Sequence, residues 1–125
     1  MDKKYWLNEP EEHDFPAAQD YLELIMSAKD AKRIAELLKD APTVQKKAKD
    51  ILRASKLPLL TKSNIHVKQN LKKVKKGSRL SPVLLVRWNG LLIVADGYHR
   101  ISTIYVLSED LIIPCRIVDF DTKNK

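Results

Sequence analysis

Three features of the sequence predict an α+β fold, a small mixed sheet with covering helices. Helical and strand-like periods alternate through the second half of the chain, Asn89-Gly90 stands between two apolar runs as a hairpin turn, and 125 residues at 44% apolar content suffice for a compact body.

Residues 1–16 hold two prolines and several acids with no sustained period. They read as an extended segment, with Tyr5, Trp6 and Leu7 available to pin it. Pro16 at a first helical position, with Asp14 upstream, starts a helix to about residue 27, and Ala17, Tyr21, Leu24 and Ile25 recur on one face. A second helix fits 30–39 through Ile34, Leu37 and Leu38. Thr43 is placed to cap a third over 44–55, with Val44, Ala48, Ile51 and Leu52 facing in. Leu57-Pro-Leu-Leu60 reads as a short edge strand. Asn64 caps a helix ended by Gly77, with Val67, Leu71 and Val74 as its apolar stripe and His66, Gln69, Asn70 and Lys73 beside it. Strands over 83–88 and 91–95, a helix over 97–108 and a last strand over 112–118 complete the order helix-helix-helix, then β-α-β-β-α-β. The organisation expected is a helical N-terminal lobe (1–55), an α+β domain (56–120) and a frayed tail (121–125).

The charge is distributed unevenly. Residues 1–42 carry six Lys/Arg against ten Asp/Glu, residues 43–80 twelve against one, and residues 81–125 five of each. The middle third is the electropositive region, suited to nucleotides or nucleic acid. No apolar run reaches the length of a membrane span, and no apolar segment follows the basic N-terminus. Cys115 is the single cysteine, which excludes an internal disulfide and any Cys-x-x-Cys pair, so a cytoplasmic protein is expected.

The chemistry concentrates in Ala95-Asp96-Gly97-Tyr98-His99-Arg100. A strand that turns through Asp-Gly into a helix presents free backbone N–H groups and the positive end of the helix dipole. Gly97 allows positive φ or a close approach of ligand to backbone. His99 and Arg100 occupy a first turn where acids are usual, which points to an external anion, most often phosphate. Asp96 has three available roles: N-cap, Mg²⁺ ligand or base.

From residue 57 to residue 118 the chain resembles the ParB/sulfiredoxin-like superfamily. The likeness rests on the helix ending Lys-Lys-Gly77, on Leu80-Ser-Pro-Val-Leu-Leu-Val86, on the hairpin, on Ala95-Asp-Gly-Tyr-His-Arg100, and on Ile113-Pro-Cys-Arg-Ile-Val118. In that superfamily the Gly-x-His/Arg-Arg box opens a helix and binds nucleotide phosphates. The resemblance implies a nucleotide cofactor (ATP, ADP or CTP) with Mg²⁺, held by Gly97, Tyr98, His99, Arg100, Lys73 and His66. It gives Asp96 and His99 as catalytic candidates for slow nucleotide hydrolysis or phosphotransfer, with Asp96 also the metal ligand. Sulfiredoxins have a nucleophilic cysteine where this chain has Tyr98, so sulfinic acid reduction is not expected. ParB proteins bind CTP and continue into a helix-turn-helix domain that these 125 residues do not contain. A free-serine kinase branch carries Asp-Gly-His-His-Arg and uses a separate carboxylate base, for which Asp50 is the weak candidate here. The alternative from another class is a non-enzymatic nucleic-acid-binding or regulatory module using the basic 43–80 region.

Overall fold

Val83-Leu-Leu-Val86 is four consecutive apolar residues, the pattern of a strand covered on both faces rather than one. In the computed structural model, which describes residues 5–120, this run opens one of the two inner strands of a four-stranded sheet. The elements run α1 (Asp14–Leu22), α2 (Ala28–Asp40), β1 (Val44–Lys47), α3 (Ala48–Ser55), α4 (Ile65–Lys75), β2 (Val83–Trp88), β3 (Leu91–Asp96), α5 (Tyr98–Leu107) and β4 (Ile112–Asp119). The sheet order is β1-β4-β2-β3, with β4 parallel to β2 and the other two pairings antiparallel. This is an α+β fold with a mixed sheet.

Alternate residues of β2 feed two cores. Val83 and Leu85 pack with Ile51, Leu52, Ile101 and Ile104 beneath α3 and α5. Leu84 and Val86 pack with Phe15, Ala18, Leu22, Ile34 and Leu38 beneath α1 and α2. The N-terminal helices therefore share a core with the sheet, and residues 44–47 supply one of its edges.

Four expectations are corrected. The third helix begins at Ala48, because Val44–Lys47 pairs with Ile112–Cys115 as an edge strand. Edge pairing wins because a lysine-rich strand keeps its side chains exposed and discourages further association. Thr43 does not cap that helix; its hydroxyl accepts a hydrogen bond from Arg116 Nε at 3.2 Å. Arg116 also donates to the last carbonyls of α2, Leu38 and Lys39, where a cation suits the helix dipole.

Residues 57–60 form no strand. Both partners of β4 and β2 are already in place, and the segment instead crosses α5, held by Leu60 N–H to Ser102 Oγ at 3.2 Å. In α1 the buried face is Asp14, Phe15, Ala18 and Leu22, one step round from the expected stripe. Tyr21 and Leu24 lie exposed, and the helix stops at Leu22. The observed order is thus α-α-β-α-α-β-β-α-β. The tail at 121–125 lies outside the described residues.

The caps of α4 follow the sequence closely. Asn64 Oδ1 accepts from the His66 and Val67 amides, at 2.9 and 3.2 Å. At the other end Gly77, at φ 87°, lets its own N–H reach Val74 O and Ser78 N–H reach Lys73 O, a Schellman closure. Among the described residues no helix is long and apolar enough to cross a membrane.

Candidate functional site

Strand β3 ends at Asp96, and Gly97 redirects the chain into α5 with φ 116° and ψ 15°. A Cβ at Gly97 would stand 2.8 Å from Val83 Cβ and closer still to Val83 Cγ1. The absent side chain therefore makes room for β2 as well as for the turn. Of the two roles the sequence allows Gly97, positive φ is the one observed. Asp96 is not the N-cap: Gly97 holds that position and no side chain caps the helix. The first bond of the α5 ladder runs from Ile101 N–H to Gly97 O at 2.9 Å, which leaves the amides of Tyr98, His99 and Arg100 ahead of it.

Asp96 instead accepts from Arg100 Nη2 at 3.0 Å, one turn along, with both side chains less than a fifth exposed. The same nitrogen reaches Pro82 O at 3.4 Å, and Arg100 Nε is buried without a partner. Burial raises the Asp96 carboxyl above the ordinary aspartate range, Arg100 works against that rise, and Asp14 adds to it from hydrogen-bonding contact. Asp14 comes from the first turn of α1 and is itself buried. Its Oδ2 accepts the Glu11 N–H at 2.9 Å, and its Oδ1 lies 3.5 Å from His13 Nε2. Sequence reading used Asp14 only as a helix-start signal. Nothing in its spacing from residue 96 reveals the contact, which the packing of α1 on β3 creates.

The helix α4 runs beside α5 and completes a cleft of about 320 Å³. His66, Gln69, Asn70 and Lys73 line one wall; Asp96, Gly97, Tyr98, His99 and Arg100 line the other. The seven residues that the family resemblance assigns to the site thus line one cleft. Glu11, His13, Arg79 and Ser81 also line it and were not singled out. Arg79 follows the Schellman turn at Gly77, and a basic residue just past that closure was the available signal.

The His66 and His99 rings lie 4.6 Å apart, tilted at 55°. Burial lowers the His99 pKa, and the neighbouring His66 and Arg100 lower it further, so His99 is neutral at pH 7 and serves as a hydrogen-bond donor or acceptor. The Tyr98 ring lies beside His99, and its hydroxyl donates to Pro58 O, so this residue also braces the 57–60 segment. Lys49 and Asp50 are elsewhere, paired with Asp110 at 2.9 Å and with Arg53 at 3.2 Å, and neither lines the cleft. Asp50 is therefore removed as the candidate base. Cys115 is fully buried on β4, and burial pushes its thiol up to about 11, as suits a small core residue rather than a nucleophile.

What the cleft can do follows from these parts. Asp96 and Arg100 largely neutralise each other, leaving Lys73, Arg79 and the α5 amides as positive groups without an ion-pair partner among the described residues, while Glu11 adds one negative charge to the lining. Among the described residues Arg100 Nη1 has no hydrogen-bond acceptor. Among the described residues no cluster of three or more His, Cys, Asp or Glu is arranged to hold a metal ion. Comparison of the chain with protein-family models, with curated proteins and with solved structures returns no match in any of the three.

Proposed function

We propose that the cleft binds the phosphate end of a nucleotide, as the ParB/sulfiredoxin-like resemblance implies. One observation carries the reading: an uncapped helix N-terminus, Lys73, Arg79 and Arg100 converge on a single cleft with the His66 and His99 rings side by side among them. Helix amides and cations together favour a phosphate over a neutral ligand, because the dipole and the full charges add at one point. Magnesium would arrive on the phosphates. Such an ion needs only one or two protein carboxylates and keeps several waters, so Asp96 on the cleft wall would suffice to hold it. When bound, the ion supplies charge neutralisation at the phosphates. Slow hydrolysis or phosphotransfer belongs to the same proposal, with Asp96 positioned to hold or move a proton and His99 to donate a hydrogen bond.

The test is a thermal-shift titration with ATP, ADP, CTP and GTP, with and without Mg²⁺, on the wild type and on Lys73→Ala and Arg79→Ala. Both side chains are exposed, so the variants keep their fold. At least one nucleotide is expected to raise Tm, and each variant to lose most of that rise. No rise with any nucleotide, or rises untouched by both substitutions, overturns the reading. Phosphate release by the wild type and its loss in Asp96→Asn test the catalytic part separately.

A further inference from the structure

We infer that a second site, the groove beneath α3, binds a small amphiphilic anion with an apolar body and one charged head. It goes beyond the nucleotide reading and does not depend on it. β3 separates the two places: Leu91 and Leu92 line the groove at its start, and Asp96 lines the cleft at its end.

The groove exists because α3 has only eight residues and leaves the hairpin end of the sheet partly uncovered. Its volume of about 730 Å³ falls within the range of small-molecule sites. Leu85, Leu92, Ile117 and Ile51 form an apolar floor, which selects an apolar body. The charges stand on the rim. Arg53 is paired with Asp50 at 3.2 Å and Arg87 with Asp119 at 3.3 Å, so these four cancel locally. Lys46 and Lys56 remain, and among the described residues neither has a carboxylate partner. An apolar floor under two unpaired cations is complementary to an anion, and it disfavours a cation of the same shape.

Lys56 supports this from its backbone. It ends α3 at φ 59°, in the left-handed region, with its N–H bonded to the Leu52 and Arg53 carbonyls. Glycine would serve that cap with less strain; a lysine there suits the C-terminal end of the helix dipole and places its side chain on the groove rim.

Isothermal titration of the wild-type chain with decanoate, decanol and decylammonium tests the inference. Decanoate is expected to bind saturably, with decanol about fivefold weaker and the cation weaker still, the effect of losing one partly screened ion pair. Lys56→Gly is the decisive variant, because it relieves the left-handed cap and is expected to raise Tm while weakening decanoate by about fivefold. Its thermal response to nucleotides is expected to stay that of the wild type. No saturable heat with decanoate, equal binding of decanol or decylammonium, or an unchanged decanoate affinity in Lys56→Gly overturns the proposal.

Discussion

The cleft at the start of α5 and the groove beneath α3 both gather cations, yet they are built in opposite ways. In the cleft the charges are the floor: Asp96 and Arg100 are mostly buried and bonded to each other, and the fully buried Asp14 lies against Asp96. In the groove the floor is apolar and the ion pairs stand on an exposed rim. Charges removed from water interact several-fold more strongly than exposed ones. Single substitutions should therefore be felt sharply in the cleft and weakly in the groove, where shape and apolar area dominate.

Two glycines give the largest contrast. Gly97 and Gly90 both have positive φ, at 116° and 76°. A Cβ at Gly97 collides with Val83, whereas one at Gly90 meets nothing within 4 Å. Gly97→Ala is expected to cost about 2–4 kcal/mol, combining backbone strain with overpacking. Gly90→Ala is expected to cost about 1 kcal/mol, the backbone part alone. Urea denaturation of the two variants checks this, and equal losses would remove the steric role assigned to the close approach of Gly97 and β2.

Two arginines give the next. Arg100→Ala leaves Asp96 beside Asp14 with no cation, an expected loss of about 2–3 kcal/mol at pH 7. Arg87→Ala breaks an exposed pair with Asp119 and is expected to change stability by less than about 0.5 kcal/mol. The pH dependence has a definite sign. The folded pKa of Asp96 is raised, so its carboxylate form opposes folding; stability linked to it is fullest below the ordinary value of 3.8 and falls as pH rises through the folded value. Arg100 limits that fall. Its removal should therefore hurt most near neutrality and least near pH 4, which denaturation curves at a series of pH values would show.

The same contrast explains how much was legible in the sequence. The helix faces of α4 and α5 could be read because i, i+3 and i+4 spacing is local; that spacing put His66, Gln69 and Lys73 on one face, and only the family resemblance set that face beside the box. The hairpin was legible because Asn89-Gly90 satisfies its turn by itself. β1 was not, since Val44-Gln-Lys-Lys47 carries a helix-compatible period and becomes a strand only through register with β4. Asp14 was missed for the same reason: its partner lies in another element, and burial decides its character. Arg116 looked like part of a strand motif, while its work is on the end of α2. Locally determined features were readable, and those set by contacts across the sheet were not.

The smallest expected effect is the most specific to the cleft. Burial, His66 and Arg100 hold the His99 pKa below the ordinary value of 6.5. In the free protein this makes neutral His99 part of what favours folding, a contribution present above 6.5 and lost as pH falls through the lower folded value. An anion in the cleft reverses the preference, because it stabilises the imidazolium beside it. Anion binding should then take up a proton, and affinity should rise as pH falls. Sulfate is the suitable probe, since its charge is constant across this range whereas a nucleotide phosphate titrates within it. Its affinity is expected to increase by about threefold between pH 7.5 and pH 6, with the change lost in His99→Gln. His66→Gln removes one of the groups that depress His99, so it should move the transition toward higher pH without abolishing it. A sulfate affinity flat with pH in the wild type would mean that the histidine pair stands apart from the anion, leaving Lys73, Arg79 and the α5 amides to hold it alone.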